Sequence, residues 1–387
     1  MIGTTANHSS IAKFKSLPDH SLCSRTQPIT PSMQPTQHTS SPLNLSSKQN
    51  EQIAMAVRIL HKGGTVAFPT ETVYGLGADA TNLVAINKIY NIKQRPIDHP
   101  LIVHIGNISH LQYWAQNIPE SAWKLARHFW PGPLTLILPR SRHIPDSVTG
   151  GQDTVGLRIP AHPVAQALLN ALGPEKALAA PSANRFGRIS PTTAAHVYEE
   201  LGTEVDMILD GGACEVGLES TIISFCDQSP KILRPGGIAL SALESILNAP
   251  VILAHNQNQT VRTPGSLPAH YAPTTPLKLC PANQIGQSAL AFAAQGLKIL
   301  VITWSDIGKT EIPHDSIRHF SMPGDPILYG QQLYAKLRQF DHEAFDYMLI
   351  ETPPDHPSWM AITDRLQRAS YHPTYNNRNE YNDNEHK

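Results

Sequence analysis

The sequence predicts an α/β fold, with a mixed sheet in a first domain and a small second α/β domain after it. Segments with helical periodicity are interspersed with short apolar runs, but not in a strict strand–helix–strand rhythm. This pattern favours a mixed sheet over a wholly parallel one. A polar, proline-rich stretch at residues 251–276 then separates these segments from a second set, as a linker would.

The composition restricts the class of protein. The chain has 387 residues, with 30 Lys plus Arg against 31 Asp plus Glu, so its formal net charge is −1. This balance argues against a protein whose whole surface binds nucleic acid, but a local basic pocket needs only a few cations. The four cysteines form no CxxC pair, which is typical of a reducing cytosol. No apolar run reaches the roughly 18–20 residues of a membrane span, so we expect a cytoplasmic protein.

The two ends differ in composition from the rest of the chain. Residues 1–48 are rich in Ser, Thr, Pro, Gln and His and carry few apolar side chains. Such a segment cannot bury enough apolar surface to offset its chain entropy, so we predict a disordered tail. A targeting peptide would carry more Arg and an amphipathic helix, which makes that alternative less favoured. Residues 371–387 are predicted to form a second polar tail.

The first domain is predicted to span residues 49–250. Its first helix contains Ile53, Val57 and Leu60 at helical spacing and ends at Gly63 and Gly64. The other predicted helices cover residues 82–93, 118–129, 163–172 and 192–201. Short apolar runs predict strands within 65–70, 100–105, 134–139, 154–160, 177–183, 205–212, 220–225 and 231–236.

The second domain is predicted to span residues 277–370. The run at 296–305, "GLKILVITWS", is typical of a buried strand in a parallel sheet, and 345–354 predicts another strand. Residues 326–340 and 361–370 show helical periodicity. No internal repeat is visible.

One glycine pattern suggests a dinucleotide site but does not support it well. Residues 74–80, "YGLGADA", place Gly75, Gly77 and Ala80 in a G-x-G-x-x-A pattern. A lone match is weak, and no strand-end acid follows about 20 residues later, as the nicotinamide fingerprint requires. We therefore predict that these glycines permit a tight turn. The chain contains neither a G-x-x-x-x-G-K-[ST] P-loop nor a G-x-S-x-G nucleophile elbow.

Polar residues near the predicted strand ends are more informative. Most are cations, imidazoles or hydroxyls, and acids are scarce, which suits an anionic ligand such as a polyphosphate. A metal site is disfavoured because no nearby Asp, Glu or Cys completes a ligand set. Each residue also has a structural alternative, such as a helix-ending Lys93, a solvent-facing Arg158 or a core His104. The residues are Thr72, Lys93, Arg95, His99, His104, Thr154, Arg158, Ser182, Asn184, Ser190, Ser220 and Arg234.

Six segments, in this order along residues 50–240, resemble the Sua5/YrdC family of threonylcarbamoyl-AMP synthases. They are "FPTETVYGLGADA", "IKQRPIDHPLIVHI", "WPGPLTLIL", "TVGLRIPAHP", "APSANRFGRISP" and "GLESTIISF" followed by "ILRPGGI". The later segments "TPGSLPAHYAP" and "AITDRLQRAS" resemble the two-domain Sua5 form. The resemblance implies a twisted mixed YrdC-like sheet with a positively charged concave face, and a small Rossmann-like C-terminal domain.

The resemblance also implies a nucleotidyltransferase reaction. L-threonine, bicarbonate or CO2, and ATP would give L-threonylcarbamoyladenylate and pyrophosphate. Other proteins would then transfer the threonylcarbamoyl group to tRNA, forming the modified nucleoside t6A. Mg²⁺ is expected on the triphosphate, held mainly by phosphates and water rather than by a protein metal site.

The resemblance assigns roles to individual residues. Lys93, Arg95 and Arg158 are implied as catalytic. The implied ATP-binding residues are Arg95, His99, Thr154, Ser182, Ser190, Arg234 and Tyr271. The implied threonine-binding residues are Thr72, His104, Arg158, Ala180 and Ser220, with Asn184 as a neighbour. The linker, which includes His270 and Tyr271, is expected to act as a lid that keeps water from the intermediates.

Two alternatives remain open from the sequence. A related carbamoyl-adenylate transferase would use carbamoyl phosphate and would carry acylphosphatase or zinc-finger segments, which are not visible here. A double-stranded RNA-binding module would use a concave basic face to accept a phosphate backbone by shape, so weak RNA binding is compatible with such a face. RNA binding that falls steeply with salt and resists ATP plus threonine would favour the second alternative.

Overall fold

The computed structural model describes residues 45–371, except 228, 255–260, 266, 268 and 307–312. The described residues belong to one compact unit. Nearly all of the two predicted tails lies outside the described residues. The first helix nevertheless begins at Ser47, inside the segment predicted to be disordered, because Ser46 caps it: the Ser46 hydroxyl accepts a hydrogen bond from the Gln49 amide.

The helices mostly coincide with the segments of helical periodicity. Helix α6 begins with a proline at its first position, where the missing amide costs no hydrogen bond. The helices are α1 Ser47–His61, α2 Leu83–Lys93, α3 Leu111–Trp114, α4 Glu120–Phe129, α5 Asp146–Thr149, α6 Pro163–Leu172, α7 Ala194–Leu201, α8 Leu240–Leu247, α9 Ala282–Ala293, α10 Pro326–Asp341 and α11 Met360–Ala369.

The strands form two sheets. They are β1 Val66–Phe68, β2 Gly75–Asp79, β3 Ile102–His104, β4 Leu134–Pro139, β5 Thr154–Arg158, β6 Leu178–Ala179, β7 Met207–Ile208, β8 Thr221–Ser224, β9 Lys231–Arg234, β10 Ile252–Leu253, β11 Leu277–Cys280, β12 Ile299–Thr303, β13 Ile317–Ser321 and β14 Tyr347–Glu351.

The larger sheet has ten strands in the order β10-β9-β8-β4-β5-β3-β6-β2-β1-β7. Both parallel and antiparallel pairs of strands occur in it: β3 and β5 are parallel, whereas β4 and β5 are antiparallel. This arrangement confirms the predicted mixed sheet. Strand β10 lies inside the predicted linker and adds an edge to the sheet by pairing with β9, which the polar composition of that stretch did not indicate.

The smaller sheet has four strands in the order β11-β14-β12-β13, and all its pairs are parallel. The buried strand predicted at 296–305 is β12, which lies between two parallel neighbours. A Rossmann-like classification of this C-terminal region, residues 277–370, remains a prediction. The sequence analysis did not predict α3, α5, α8, α9, β2, β11 or β13. In β11 and β13, charged and polar residues interrupt the apolar ones.

The glycines of "YGLGADA" do not form a turn, so that prediction was wrong. Gly75 and Gly77 lie within β2 and face the Phe68 ring on the neighbouring strand. A Cβ atom on Gly77 would lie 2.7 Å from Phe68 Cε1 and 3.3 Å from Leu178 Cδ1. Glycine is therefore required here because the ring occupies the space that any side chain would need.

The C-terminal region packs against the first sheet through a shared apolar cluster. Leu218 and Tyr271 from outside the C-terminal region lie in one buried cluster with Leu333 of α10 and Ile362 of α11. Helix α10 can lie close to Leu218 because Gly330 has no side chain. A Cβ atom added at Gly330 would lie 3.1 Å from Leu218 Cδ1. Within the described residues, no helix combines the length and apolar character that a membrane span requires.

Candidate functional site

A central pocket lies where the ends of several strands meet the linker. Most residues that were predicted from the sequence to form the site line this pocket. They are Thr72, Lys93, Arg95, His104, Arg158, Ala180, Ser182, Asn184, Ser220, Arg234 and Tyr271. Residues separated by up to about two hundred positions along the chain are thus brought to one place by the sheet order.

Strand register brings His104 and Arg158 together. Strands β3 and β5 are parallel, and their register pairs His104 with Arg158. Residues paired in this way point to the same face of the sheet, and both line the central pocket. The polar residue that interrupts the apolar run 100–105 is therefore a pocket residue. Nδ1 of His104 is buried and has no hydrogen-bond partner within the described ranges, which is an unfavourable state for a polar atom.

The end of α2 directs two cations into the pocket. Gln94 adopts the left-handed conformation, with φ of 53°, which ends the helix and reverses the chain. Lys93 Nζ then donates to the carbonyl oxygens of Ser182 and Asn184, each at 2.5 Å. The Arg95 guanidinium donates to the Pro100 carbonyl at 2.9 Å. Burial lowers the pKa of Lys93 well below its usual value, and nearby Arg95 lowers it further.

The opposite wall is formed by Ser220, Arg234 and the linker. Arg234 Nη2 donates to the Ser220 carbonyl at 2.9 Å and to the Ser220 hydroxyl at 3.1 Å. Its Nη1 donates to the Pro264 carbonyl at 3.0 Å, which holds the linker at the pocket. Tyr271 is buried and has a φ of 62°, an uncommon conformation for a residue with a side chain. The linker therefore contributes to the pocket wall, and its role as a lid remains a prediction.

Three predicted residues do not line the pocket. Ser190 is fully buried, and its hydroxyl donates to Glu219 Oε1 at 2.6 Å. Thr154 begins β5 at the end remote from Arg158. The His99 ring instead contacts Phe186, with ring centroids 5.2 Å apart. The proposed contacts of these three residues with ATP remain predictions.

Two buried acids were missed because the sequence analysis counted acids as scarce near the site. Glu71 Oε1 accepts from Arg158 Nη2 at 2.6 Å, and its other oxygen accepts from the Ala161 amide at 2.8 Å. Glu219 lines the pocket itself. Both lie within segments that resemble the family, "PTETVYG" and "GLEST", which was the one available signal. Phe186, beneath the Arg95 guanidinium at 5.3 Å from the ring centroid, was also missed.

The ion pairs divide the pocket cations into two groups. Arg158 is paired with Glu71. Lys93, Arg95 and Arg234 donate to carbonyl and hydroxyl oxygens, and across the described part of the chain none of them lies in a salt bridge with a carboxylate. The pKa of Arg95 is lowered to about 10 by burial, so this side chain is still protonated at neutral pH. Uncompensated buried cations are costly, and an anionic ligand would offset that cost.

The carboxylates available to a metal are few. Among the residues that the structure describes, no group of three or more His, Cys, Asp or Glu side chains could hold a metal ion. Glu71 and Glu219 are both engaged by arginines. The side chains at the pocket therefore do not form a ligand set for Mg²⁺, which prefers oxygen ligands in an octahedron.

Lowering the pH from 7 to 5 is expected to destabilise the protein through two buried histidines. Burial, aided by Arg158, lowers the pKa of His104 to about 3, and burial also lowers the pKa of His270 to about 3. The unfolded chain, with histidine pKa near 6.5, then binds more protons between pH 3 and 6.5, so stability is full above pH 6.5 and falls below it. At pH 5, each of these histidines should lower the free energy of unfolding by about 2 kcal/mol relative to pH 7.

Urea denaturation of wild type and of a His104→Gln variant at pH 7 and pH 5 measures this effect. In wild type, the free energy of unfolding should be lower at pH 5 than at pH 7. In the variant this decrease should be smaller by about 2 kcal/mol. A His128→Gln variant, altered at an exposed position on α4, is the matched control and should keep the wild-type difference. An unchanged difference in His104→Gln would contradict a neutral buried His104.

Comparison with known proteins places the chain among its relatives. Residues 58–236 match a family model for Sua5, YciO and YrdC that is described as telomere recombination. Residues 238–370 match a model described as the threonylcarbamoyl-AMP synthase C-terminal domain. The chain is 39% identical over 330 residues to the threonylcarbamoyl-AMP synthase of Bacillus subtilis, covering 84% of this chain and 94% of the relative. The Pyrococcus abyssi synthase is 37% identical over 329 residues, covering 82% of this chain and 94% of the relative.

A solved structure agrees with this relationship. The crystal structure of P. abyssi Sua5 complexed with L-threonine superposes with a TM-score of 0.75 at 36% sequence identity. The match covers 83% of this chain and 94% of that chain, so it extends over both sheets. The chain therefore belongs to the Sua5/YrdC family of threonylcarbamoyl-AMP synthases, in the form that carries the Sua5 C-terminal domain.

Proposed function

We propose that this chain is an L-threonylcarbamoyladenylate synthase. It condenses L-threonine, bicarbonate or CO2, and ATP to threonylcarbamoyl-AMP and pyrophosphate. The observation that carries the proposal is the group of buried basic side chains Lys93, Arg95 and Arg234, which have no carboxylate partner in the described structure and converge on one pocket. The family relationship supports it, because the curated relatives are threonylcarbamoyl-AMP synthases.

The chemistry explains why such a pocket is needed. The amine of threonine and CO2 form a carbamate, whose oxygen attacks the α-phosphorus of ATP while pyrophosphate leaves. The carbamate and the triphosphate are both anionic, so they repel each other unless cations bring them together. Catalysis is then mainly positioning and charge neutralisation. In this proposal the phosphates are bound by Lys93, Arg95 and Arg234, which line the pocket, and Ser182 supplies a polar group beside Lys93.

The threonine end of the pocket is proposed around Arg158. Its Nε donates to the Gly132 carbonyl and its Nη2 to Glu71, which leaves Nη1 unused by the described hydrogen bonds. A guanidinium that is held in this way can donate hydrogen bonds to the threonine carboxylate with little loss of side-chain entropy. Neutral His104 is paired with it across β3 and β5 and lines the same pocket. Thr72, Ala180 and Ser220 complete this part of the lining.

Magnesium would accompany ATP without a protein ligand set, because Glu219 in the pocket wall and Glu71 behind Arg158 are both paired with arginines. The phosphates and water would then coordinate the ion, as Mg²⁺ commonly requires. No step of the proposed mechanism depends on it.

The proposed activity places the protein in tRNA modification in the cytoplasm, as a nucleotidyltransferase. Its product is a mixed anhydride that water hydrolyses, so transfer proteins acting on tRNA must consume it directly. The alternative of RNA binding is less well supported because the pocket cations are buried rather than spread over an exposed face: Lys93 is 1% and Arg234 is 4% exposed. A duplex backbone is bound by cations spread over an open surface, whereas these cations lie inside one pocket.

Pyrophosphate release by the purified chain tests the proposal. With ATP, we expect release that requires both L-threonine and bicarbonate, together with an adenylate whose mass is that of threonylcarbamoyl-AMP. Equal release without threonine would refute the assignment. Release that requires carbamoyl phosphate instead of threonine would favour the carbamoyl-adenylate transferase. Salt-sensitive RNA binding that ATP plus threonine do not displace would favour the RNA-binding alternative.

A further inference from the structure

The Glu219 carboxylate lies where the central pocket meets the C-terminal region. It is buried, and three side chains donate to its two oxygens. Ser190 donates to Oε1 at 2.6 Å, and Oε2 accepts from Tyr334 at 3.0 Å and from Arg365 Nε at 2.8 Å. Glu219 precedes the pocket residue Ser220, so its position bears directly on the pocket wall.

Two of these three donors come from the C-terminal region. Tyr334 lies on α10 and Arg365 on α11. Both also contact Tyr271 of the linker: the Arg365 guanidinium lies 5.1 Å from the Tyr271 ring centroid, and the Tyr334 ring stacks at 5.8 Å. Asp364 fixes Arg365 further by accepting from Nη1 at 2.5 Å. The C-terminal region therefore reaches the pocket through one carboxylate and one aromatic ring.

Glu219 has two arginines close enough to compete for its charge. Burial by itself would raise the pKa of Glu219, but Arg365 and Arg234 lower it to about 2, so it is ionised at neutral pH. Arg365 takes up this charge by direct contact. Arg234 instead donates to Ser220 and Pro264 oxygens, which are neutral. Arg234 is thus near enough to lower the pKa of Glu219 but forms no ion pair with it among the described residues, so its guanidinium can still pair with a ligand.

We propose that Arg365 and Tyr334 are positioning residues that hold Glu219 away from Arg234 and so keep Arg234 available for the anionic end of a nucleotide. Without Arg365, the ionised Glu219 turns toward the nearest remaining cation, Arg234, and neutralises it. The C-terminal region thereby controls the charge of a pocket that it does not itself line. This inference rests on the proposed function in taking a nucleotide triphosphate as the ligand.

Direct binding of ATP to the full chain, measured by calorimetry without threonine or bicarbonate, tests the inference. An Arg365→Met variant should bind ATP at least tenfold more weakly than wild type. An added Glu219→Gln change should recover most of that loss, because it removes the charge that captures Arg234. A purely structural role for Arg365 predicts that Glu219→Gln restores the unfolding temperature, because it removes the stranded buried charge, but does not restore ATP affinity.

Arg338→Met is the matched control. Arg338 is also a buried arginine of α10 that crosses to the first sheet, where it pairs with Glu200 at 2.8 Å and donates to the Ile189 carbonyl, but it does not line the central pocket. Its loss should lower the unfolding temperature as Arg365→Met does and change ATP affinity less than twofold. Equal weakening by both variants, or no recovery in the double variant, overturns the inference.

A milder variant covers the case in which Arg365→Met does not fold. Tyr334→Phe removes one hydrogen bond to Glu219 and keeps the ring that stacks on Tyr271. The Tyr334→Phe variant should bind ATP severalfold more weakly than wild type, and an added Glu219→Gln change should restore most of the affinity. Unchanged ATP affinity in Tyr334→Phe counts against the inference. If the wild-type chain binds ATP but releases no threonine-dependent pyrophosphate, the proposed function fails while these comparisons still decide the role of Arg365.

Discussion

Replacing Arg95 with methionine is expected to reduce threonine- and bicarbonate-dependent pyrophosphate release by at least about 100-fold. Arg95 is buried, and its described hydrogen bonds go to the carbonyls of His99 and Pro100. Its charge is therefore available to a phosphate group. A charge-assisted hydrogen bond contributes about 1.5–3 kcal/mol, and a guanidinium commonly forms two, so the loss of both corresponds to roughly 10²–10⁴ in rate.

The Arg95 experiment compares steady-state rates at saturating and limiting ATP. An Arg95→Lys variant should recover part of the rate, because it restores a point charge without the planar fork. Arg127→Met is the control, since Arg127 lies on the surface of α4 and pairs with the exposed Glu120. If Arg95→Met retains the wild-type rate while remaining folded, Arg95 does not bind the phosphates.

Replacing Glu71 with alanine is expected to lower the free energy of unfolding by about 3–5 kcal/mol, because it leaves a buried arginine without its counter-charge. The Arg158 side chain is 5% exposed and lies 2.6 Å from the Glu71 carboxylate. The change also removes the acceptor of the Ala161 amide. Threonine-dependent activity should fall as well, since Arg158 loses the partner that orients it.

Chemical denaturation measures the stability effect of Glu71. Glu71→Gln should cost less than Glu71→Ala, because the amide oxygen can still accept one hydrogen bond. The double variant Glu71→Ala with Arg158→Met should recover stability relative to Glu71→Ala alone, because no stranded charge remains. A loss below about 1 kcal/mol in Glu71→Ala would mean that the pair is not desolvated as the structure shows.

Local patterns were sufficient for much of the fold. The apolar periodicity of 163–172 predicted α6 with the bounds that the structure has. The run 134–139 likewise predicted β4. Prediction failed where a residue is required by a neighbouring strand. Gly77 resembles a turn glycine, but it lies in a strand, and glycine is needed there because the Phe68 ring packs against it.

The sequence likewise predicted some residues of the candidate site and not others. Motif resemblance identified His104, Arg158 and Arg234 as site residues, and the structure brings all three to the pocket. It did not identify Glu71 or Glu219, because an isolated acid in a sequence carries no sign of its partner. Glu71 and Arg158 lie 87 residues apart, and Glu219 and Arg365 lie 146 residues apart.

The sequence by itself determined the mixed α/β architecture, the family and most of the side chains that line the pocket. The tertiary structure alone decided which of the pocket charges are neutralised: Arg158 by Glu71, and Glu219 by Arg365, with Lys93, Arg95 and Arg234 left without a carboxylate partner among the described residues. The physical reason is that the free energy of a buried charge depends on the groups within a few ångströms of it, and chain folding, not sequence proximity, sets those neighbours.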